Sequence, residues 1–335
     1  MTQKTAPQAS GSLRRVLAIA EGPDELSTLA AALEFAAQHD AALYVLACVE
    51  RPKDVDRLSR STGVSTSAIL DRMMEDRQSV LLQLCHEAGA SDVRNIRVTV
   101  GKPFLEICRH VVAEAIDVVV KTAEQLPGGG RFLFASTDQH LIRKCPCAIW
   151  LRLPDAKHPP QTILAAVDVD DWDASEPETL IVLNNQIIEM AINLAGGPET
   201  IIHVLHVWDA PGEGLAWTFS TGSDPRGASR RYLRDVEKAH AASLERLISP
   251  FRSKSQETGG PTIIPRLARG PVRSVIAEQA EILDSDILVM GTVARTSMSG
   301  ILIGNTAEDI LNTVDCSVMT VKPKAFVSPL DLEPN

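Results

Sequence analysis

The sequence predicts an α/β protein of two tandem copies of one βαβαβαβαβ unit, each copy a five-stranded parallel sheet with helices on both faces. Three observations carry this. Short continuous apolar runs, such as Val16–Ala20 and Ile163–Val167, alternate with longer helix-like segments; such runs mark parallel strands buried on both faces. The pattern starts over after a stretch holding Pro154, Pro159 and Pro160, where proline keeps itself and its predecessor extended. The copies also keep register: Asp286 follows Asp117, Gly304 follows Ala135 and Cys316 follows Cys147, each by 169 residues. One fixed offset makes two like domains, not one large doubly wound sheet, and alternating strands and helices imply right-handed crossovers.

In the first copy, Val16–Ala20 is a strand ended by Glu21-Gly22-Pro23-Asp24. Leu26–Gln38 is rich in Ala and Leu and helical in character. Ala42–Val49 is a second strand, stopped by Pro52. Ser65–Glu87 is a long helix, capped by Ser65 or Ser67, with Ile69, Met73, Val80 and Leu84 along one face. Val93–Val100 is the third strand, and Pro103 sits where a helix start tolerates it, leading to a helix that runs to Ala115. Asp117–Lys121 is the fourth strand. Gly128-Gly129-Gly130 marks a loop, Ser136–Arg143 a short helix and Cys147–Leu151 the fifth strand.

In the second copy, Ile163–Val167 ends in Asp168, and Ile201–Trp208 is the second strand. Gly212–Ser229, rich in Gly, Ser and Thr, reads as a long loop, and Arg230–Ile248 as a long helix. Pro261–Leu267 (strand), Pro271–Leu283 (helix), Asp286–Met290 (strand), Thr306–Asn312 (helix) and Cys316–Val321 (strand) complete the unit. The expected organisation is a disordered arm (1–12), a first domain (13–153), a linker (154–160), a second domain (161–323) and a tail (324–335).

Of 335 residues, 44% are hydrophobic and 23% charged, enough for two ordinary cores. A net charge of −10 lacks the electrostatic footprint of a nucleic-acid or anionic-membrane binder. No apolar run is long enough to span a membrane, and residues 1–12 lack the apolar core of a signal peptide. Four of the six cysteines fall in apolar runs, where a reduced cysteine acts as a small hydrophobe. No secreted disulfide framework is visible, so a cytoplasmic location is expected.

The stretch that carries chemistry is Gly291–Thr306. A strand runs straight into Gly291, a polar loop and a short apolar run (Ile301–Ile303) follow, and Gly304-Asn305-Thr306 opens a helix. Glycine lets backbone approach a ligand closely, and the first N–H groups of a helix favour an anion. A strand-ending glycine and an ordinary helix cap give the same pattern without a ligand. Asp168-Val169-Asp170-Asp171 lies at a strand end, where open α/β sheets bind ligands; a solvated turn is the rival reading. His203 and His206 are three apart on a strand and face opposite ways, so a shared metal is not expected. Cys147 reads as core packing, with Cys145 beside it. Arg226, Arg230, Arg231 and Arg234 read as a solvated, paired helix face rather than a phosphate clamp. No nucleophile–base pair, Gly-x-Ser-x-Gly elbow or Walker lysine is present, so no enzymatic turnover is expected, with a weak ATPase activity left open.

These residues carry a resemblance. A strand ending in an acid, a Gly-x-x-small turn after strand four, and a nine-residue spacer to Gly-polar-Thr resemble the universal stress protein family in its tandem form. The phrases Gly304–Leu311 (GNTAEDIL) and Phe134–Leu151 are close to those members. The resemblance covers about residues 13–152 and 161–323. It implies the Rossmann-like, adenine-nucleotide-hydrolase-like fold with strand order 3-2-1-4-5, and ATP, with Mg²⁺, as the ligand of some members. It implies cofactor-binding residues Asp168, Val204, Gly291, Ala294, Gly304, Asn305 and Thr306 in the second copy, where Ala294 and Asn305 depart from the Gly and Ser/Thr of binding members. In the first copy, Lys121-Thr122, Gln125 and Ala135 stand at the motif positions and Glu21 replaces the aspartate, so ATP is not expected to bind there in the same way. Single-domain members pair through the fifth strand, which implies an intramolecular pseudo-dimer here, with a further homodimer open.

The leading expectation is a stress-response binding protein that senses ATP or a related adenine nucleotide through its second domain. A non-nucleotide scaffold or small-ligand carrier is the alternative, and an ATP-dependent adenylating enzyme of the wider fold group a third.

Overall fold

The structure, a computed structural model, describes residues 13–22, 24–90, 93, 95–124, 136–154, 156–170, 177–219, 224–292, 305–323 and 326–330. The first half forms β1 (Arg15–Ile19), α1 (Glu25–Gln38), β2 (Ala42–Val49), α2 (Val55–Thr62), α3 (Thr66–Glu87), β3 (Asn95–Val100), α4 (Pro103–Ala113), β4 (Val118–Thr122), α5 (Ser136–Lys144) and β5 (Ala148–Arg152). The second forms β6 (Thr162–Ala166), α6 (Pro177–Leu194), β7 (Ile201–Trp208), α7 (Glu213–Thr218), α8 (Pro225–Thr258), β8 (Thr262–Arg269), α9 (Val272–Ile282), β9 (Ile287–Gly291), α10 (Asn305–Leu311) and β10 (Ser317–Val321). From α4 onward the 169-residue offset holds element by element: Pro103 and Val272, Val118 and Ile287, Ser136 and Asn305, Ala148 and Ser317 are the matched first residues.

The strands form one ten-stranded sheet in the order β3-β2-β1-β4-β5-β10-β9-β6-β7-β8. Each half therefore has the order third-second-first-fourth-fifth. Neighbours within a half run parallel. The halves meet at β5 and β10, which pair antiparallel with Val318 opposite Leu151, Met319 opposite Trp150 and Thr320 opposite Ile149. Leu153 N donates to Ser317 Oγ at 3.1 Å beside this junction. On one face Gln38 Nε2 donates to Ala195 O at 2.7 Å, tying α1 to the end of α6.

Strand side chains alternate between faces, and the cores follow. Val16, Ala18, Val45, Trp150, Val289 and Met319 pack under α1, α3, α6 and α8. Leu17, Ile19, Ile149, Leu288 and Val318 pack under α4, α5, α9 and α10. Each core draws on both halves, so the halves share two continuous apolar layers. No described helix is long and apolar enough to cross a membrane.

Local signals explain most boundaries. Ser65 caps α3, its hydroxyl accepting from Ala68 N at 3.2 Å. Three segments differ from expectation. α2 follows Pro52 although its sequence is polar; only Val55 is buried, so periodicity had little to report. Gly212–Ser229 is not one loop: it holds α7 and the first turn of α8, where Asp224 caps the helix by accepting from Gly227 N at 2.8 Å and Pro225 occupies the first turn. α8 also runs past Ile248 to Thr258 with Pro250 inside it. Proline there forfeits one backbone bond, and burial of Ile248 with Phe251 packed on the same core offsets the loss. The glycine cluster at 128–130 lies outside the described residues.

Candidate functional site

The carboxyl end of β6 is the centre of the second-half site. Past Ala166 the chain keeps pairing, Val167 N donating to Leu205 O at 2.9 Å. Asn184 of α6 is buried and clamps the next residue both ways: Asp168 N donates to its Oδ1 at 3.0 Å, and its Nδ2 donates to Asp168 O at 2.6 Å. Asp170 N donates to the Asp168 carboxylate at 3.1 Å, so one oxygen of Asp168 shapes its own turn. Asp168 thus stands at the strand end, half-buried and held in place.

Gly291 is the last residue of β9, level with Val321. A Cβ there would come within 2.8 Å of Leu183 Cδ2 and 3.5 Å of Ile187 Cδ1. The close approach that requires glycine at this point is that of α6. Ala294 and Gly304 lie outside the described residues; Asn305 and Thr306 are the first residues of α10.

Val204 is a correction. It is fully buried in the middle of β7, opposite Ala165 and Pro265. That level is three residues before Asp168, inside the apolar core. Val204 therefore does not line the strand end; Val207 and Trp208, later on the same strand, are nearer that edge.

The corresponding end of the first half is filled from within. Lys121, on β4, is fully buried, and its Nζ lies 3.0 Å from Asp138 Oδ1, 2.9 Å from Glu124 Oε1 and 3.8 Å from Glu21 Oε2. Asp138, on α5, is fully buried too and accepts from Glu124 N at 2.9 Å. Burial works against the Lys121 ammonium, but Asp138, Glu21 and Glu124 outweigh it and hold its pKa above the ordinary value. Burial pushes the Glu21 and Asp138 carboxyls up, with Lys121 opposing. On the opposite face of β4, Thr28 and Thr122 hydrogen-bond through their hydroxyls. In the second half the positions of Lys121 and Asp138 carry Met290 and Ala307, so that ion pair has no counterpart there.

His203 and His206 do not converge. His203 Nδ1 accepts from Arg266 Nε at 3.2 Å. His206 instead meets His240 of α8 and Asp170, a grouping sequence spacing does not show because 34 residues separate the two histidines. Cys145 and Cys147 are buried and free, their sulfurs 3.6 Å apart. Arg226, Arg230, Arg231 and Arg234 are all exposed, and Arg226 lies over the Trp217 ring, 6.0 Å from its centre.

Both halves match the model of the universal stress protein family, over residues 13–151 and 183–322. Universal stress protein E of Escherichia coli K12 is 27% identical over 234 residues, 70% of this chain and 69% of its own. A universal stress protein of Methanocaldococcus jannaschii is 35% identical over 133 residues, covering 39% of this chain and 71% of its own. Among solved structures, a universal stress protein from Archaeoglobus fulgidus superposes with a TM-score of 0.57 at 15% identity, covering 93% of this chain and 99% of its own. A Pseudomonas aeruginosa PAO1 protein gives 0.57 at 22% identity, with 94% of each chain covered. At these identities the structural likenesses bear on the fold alone.

Proposed function

The chain belongs to the universal stress protein family, with a family domain in each half, and from that premise we propose that it is a cytoplasmic stress-response regulatory protein binding an adenine nucleotide in its second half only. The observation that carries this is the contrast between the two strand-one acids. Glu21 faces a buried lysine of its own domain, whereas the lysine position beside Asp168 is Met290. An acid at the carboxyl edge of a parallel sheet suits a ribose hydroxyl or the Mg²⁺ that accompanies ATP. The chain supplies orientation and charge in this reading and no catalytic group.

The test is calorimetric titration of the full chain with ATP and Mg²⁺. One nucleotide per chain is expected. Asp168→Ala should weaken binding by about 10- to 100-fold, the loss of one charged hydrogen bond. Absence of heat at millimolar nucleotide, with the protein shown to be folded, sinks the proposal.

A second reading, a scaffold or carrier of a non-nucleotide ligand, is favoured by one observation. Gly291 has a packing reason to be glycine, the approach of Leu183, and does not need a phosphate to explain it. Mass spectrometry of the native protein, showing a non-nucleotide molecule retained, would support this reading over the first.

A further inference from the structure

We propose that Asp170, His206 and His240 form a site for one late first-row divalent cation, of the Zn²⁺ class, at the carboxyl end of the second half-sheet. Its ligands are residues other than Asp168, although Asp170 N donates to the Asp168 carboxylate at 3.1 Å. Its three ligand atoms come from three elements: the turn after β6, the interior of β7 and the middle of α8. His240 Nδ1 lies 3.0 Å from both Asp170 Oδ1 and His206 Nε2, and His206 Nε2 lies 3.4 Å from Asp170 Oδ1. With bonds of about 2.0–2.1 Å, ligand atoms stand about 3.3 Å apart around a tetrahedral ion and about 2.9 Å apart on an octahedral face. The observed triangle falls in that range, so a cation could join all three atoms with small adjustments.

The chemistry of the set points to the class of ion. Two imidazoles and one carboxylate suit Zn²⁺, Ni²⁺, Co²⁺ or Fe²⁺ rather than Mg²⁺ or Ca²⁺. Both histidines are about 1% exposed, so their rings are desolvated and fixed in place. The Trp208 ring stacks on His240 with centres 5.6 Å apart. Val169 N donates to His206 Nδ1 at 3.4 Å, and Val167 O lies 3.4 Å from the same nitrogen. The tautomer that gives up the Val169 bond and donates Nδ1–H to Val167 O turns the Nε2 lone pair to the cluster, the arrangement usual behind a metal-bound histidine. In that tautomer the His240 Nδ1–H can point at only one of His206 Nε2 and Asp170 Oδ1, both at 3.0 Å. Asp170 keeps 15% of its side chain exposed.

The test uses the full chain, stripped with a chelator and kept free of nucleotide. Co²⁺ is titrated and followed by visible absorption, then displaced by Zn²⁺. The expected result is saturation at one equivalent, with ligand-field bands and no thiolate charge-transfer band. Asp170→Asn and His240→Gln should each weaken Zn²⁺ binding at least ~10-fold, while His203→Gln, on the same strand, leaves it unchanged. Circular dichroism checks that each variant folds; Asp170→Asn, at the partly exposed edge, gives the answer should His240→Gln fail to fold. No saturable Co²⁺ signal, a thiolate band, or affinity unchanged in folded Asp170→Asn overturns the proposal and leaves a hydrogen-bonded histidine pair.

Discussion

Replacing Lys121 by methionine, the residue at the matching position of the second half, should destabilise the first half sharply. Lys121 and Asp138 are both fully buried and 3.0 Å apart. Deleting one partner of such a pair strands the other charge, at about 3–5 kcal/mol. The double change Lys121→Met/Asp138→Ala copies Met290 and Ala307 and removes both charges. It should recover most of that loss, short of about 1 kcal/mol for the bond Asp138 accepts from Glu124 N. Urea denaturation followed by circular dichroism gives both values. The pH dependence adds a check. The Asp138 carboxyl is already raised by burial, and losing Lys121 raises it further. A raised carboxyl contributes stability that is present below its unfolded pKa and lost as pH rises through the native one. The deficit of the single variant should therefore shrink on acidification. Lys121, raised above its ordinary 10.5, keeps its own contribution in the parent until pH rises through that higher native value. A single variant within 1 kcal/mol of the parent, or a double variant no better than the single, refutes the reasoning.

Gly291→Ala should cost about 1–3 kcal/mol through overpacking, because its Cβ meets Leu183 Cδ2 at 2.8 Å; adding Leu183→Ala should make the glycine change nearly free, as read from the coupling in thermal melts. His158 has its pKa lowered to about 4, first by burial and then by the charge of Arg152. A depressed histidine contributes stability that is present above 6.5 and lost as pH falls through about 4; the stability difference between parent and His158→Gln should trace that window. The six cysteines are free and five of them buried, with Cys48, half-buried, pushed up to about 12 by burial. An aromatic disulfide reagent should titrate six thiols in denaturant and react far more slowly with the native protein.

The alternation of strand and helix was legible because parallel strands buried on both faces leave unbroken apolar runs, as in Val16–Ala20. The repeat was legible because the helices and strands from Pro103 onward keep one spacing. That same apolar uniformity hid the position of Val204: nothing in IIHVLHVW marks which residue stands level with Asp168. Lys121 was visible as an oddity in VVVKT, but its pairing with Asp138 depends on how α5 returns over β4. His240 sits in a polar helix as one residue among many, and only the placement of α8 against β7 brings it to His206. α8 runs past Ile248 because packing of the neighbours of Pro250 overrides the usual preference of proline for a helix end.

The β5–β10 junction has a consequence for the unequal halves. Were the two domains separate chains, each would meet either its own kind or the other, in proportions set by concentration. Covalent connection makes their meeting intramolecular, indifferent to dilution. Across that strand the half that holds Lys121 is joined to the half that bears Asp168. Because the junction is antiparallel, the carboxyl ends of the two half-sheets point in opposite directions. The assembly thus has a polarity that two identical subunits related by a twofold axis would lack.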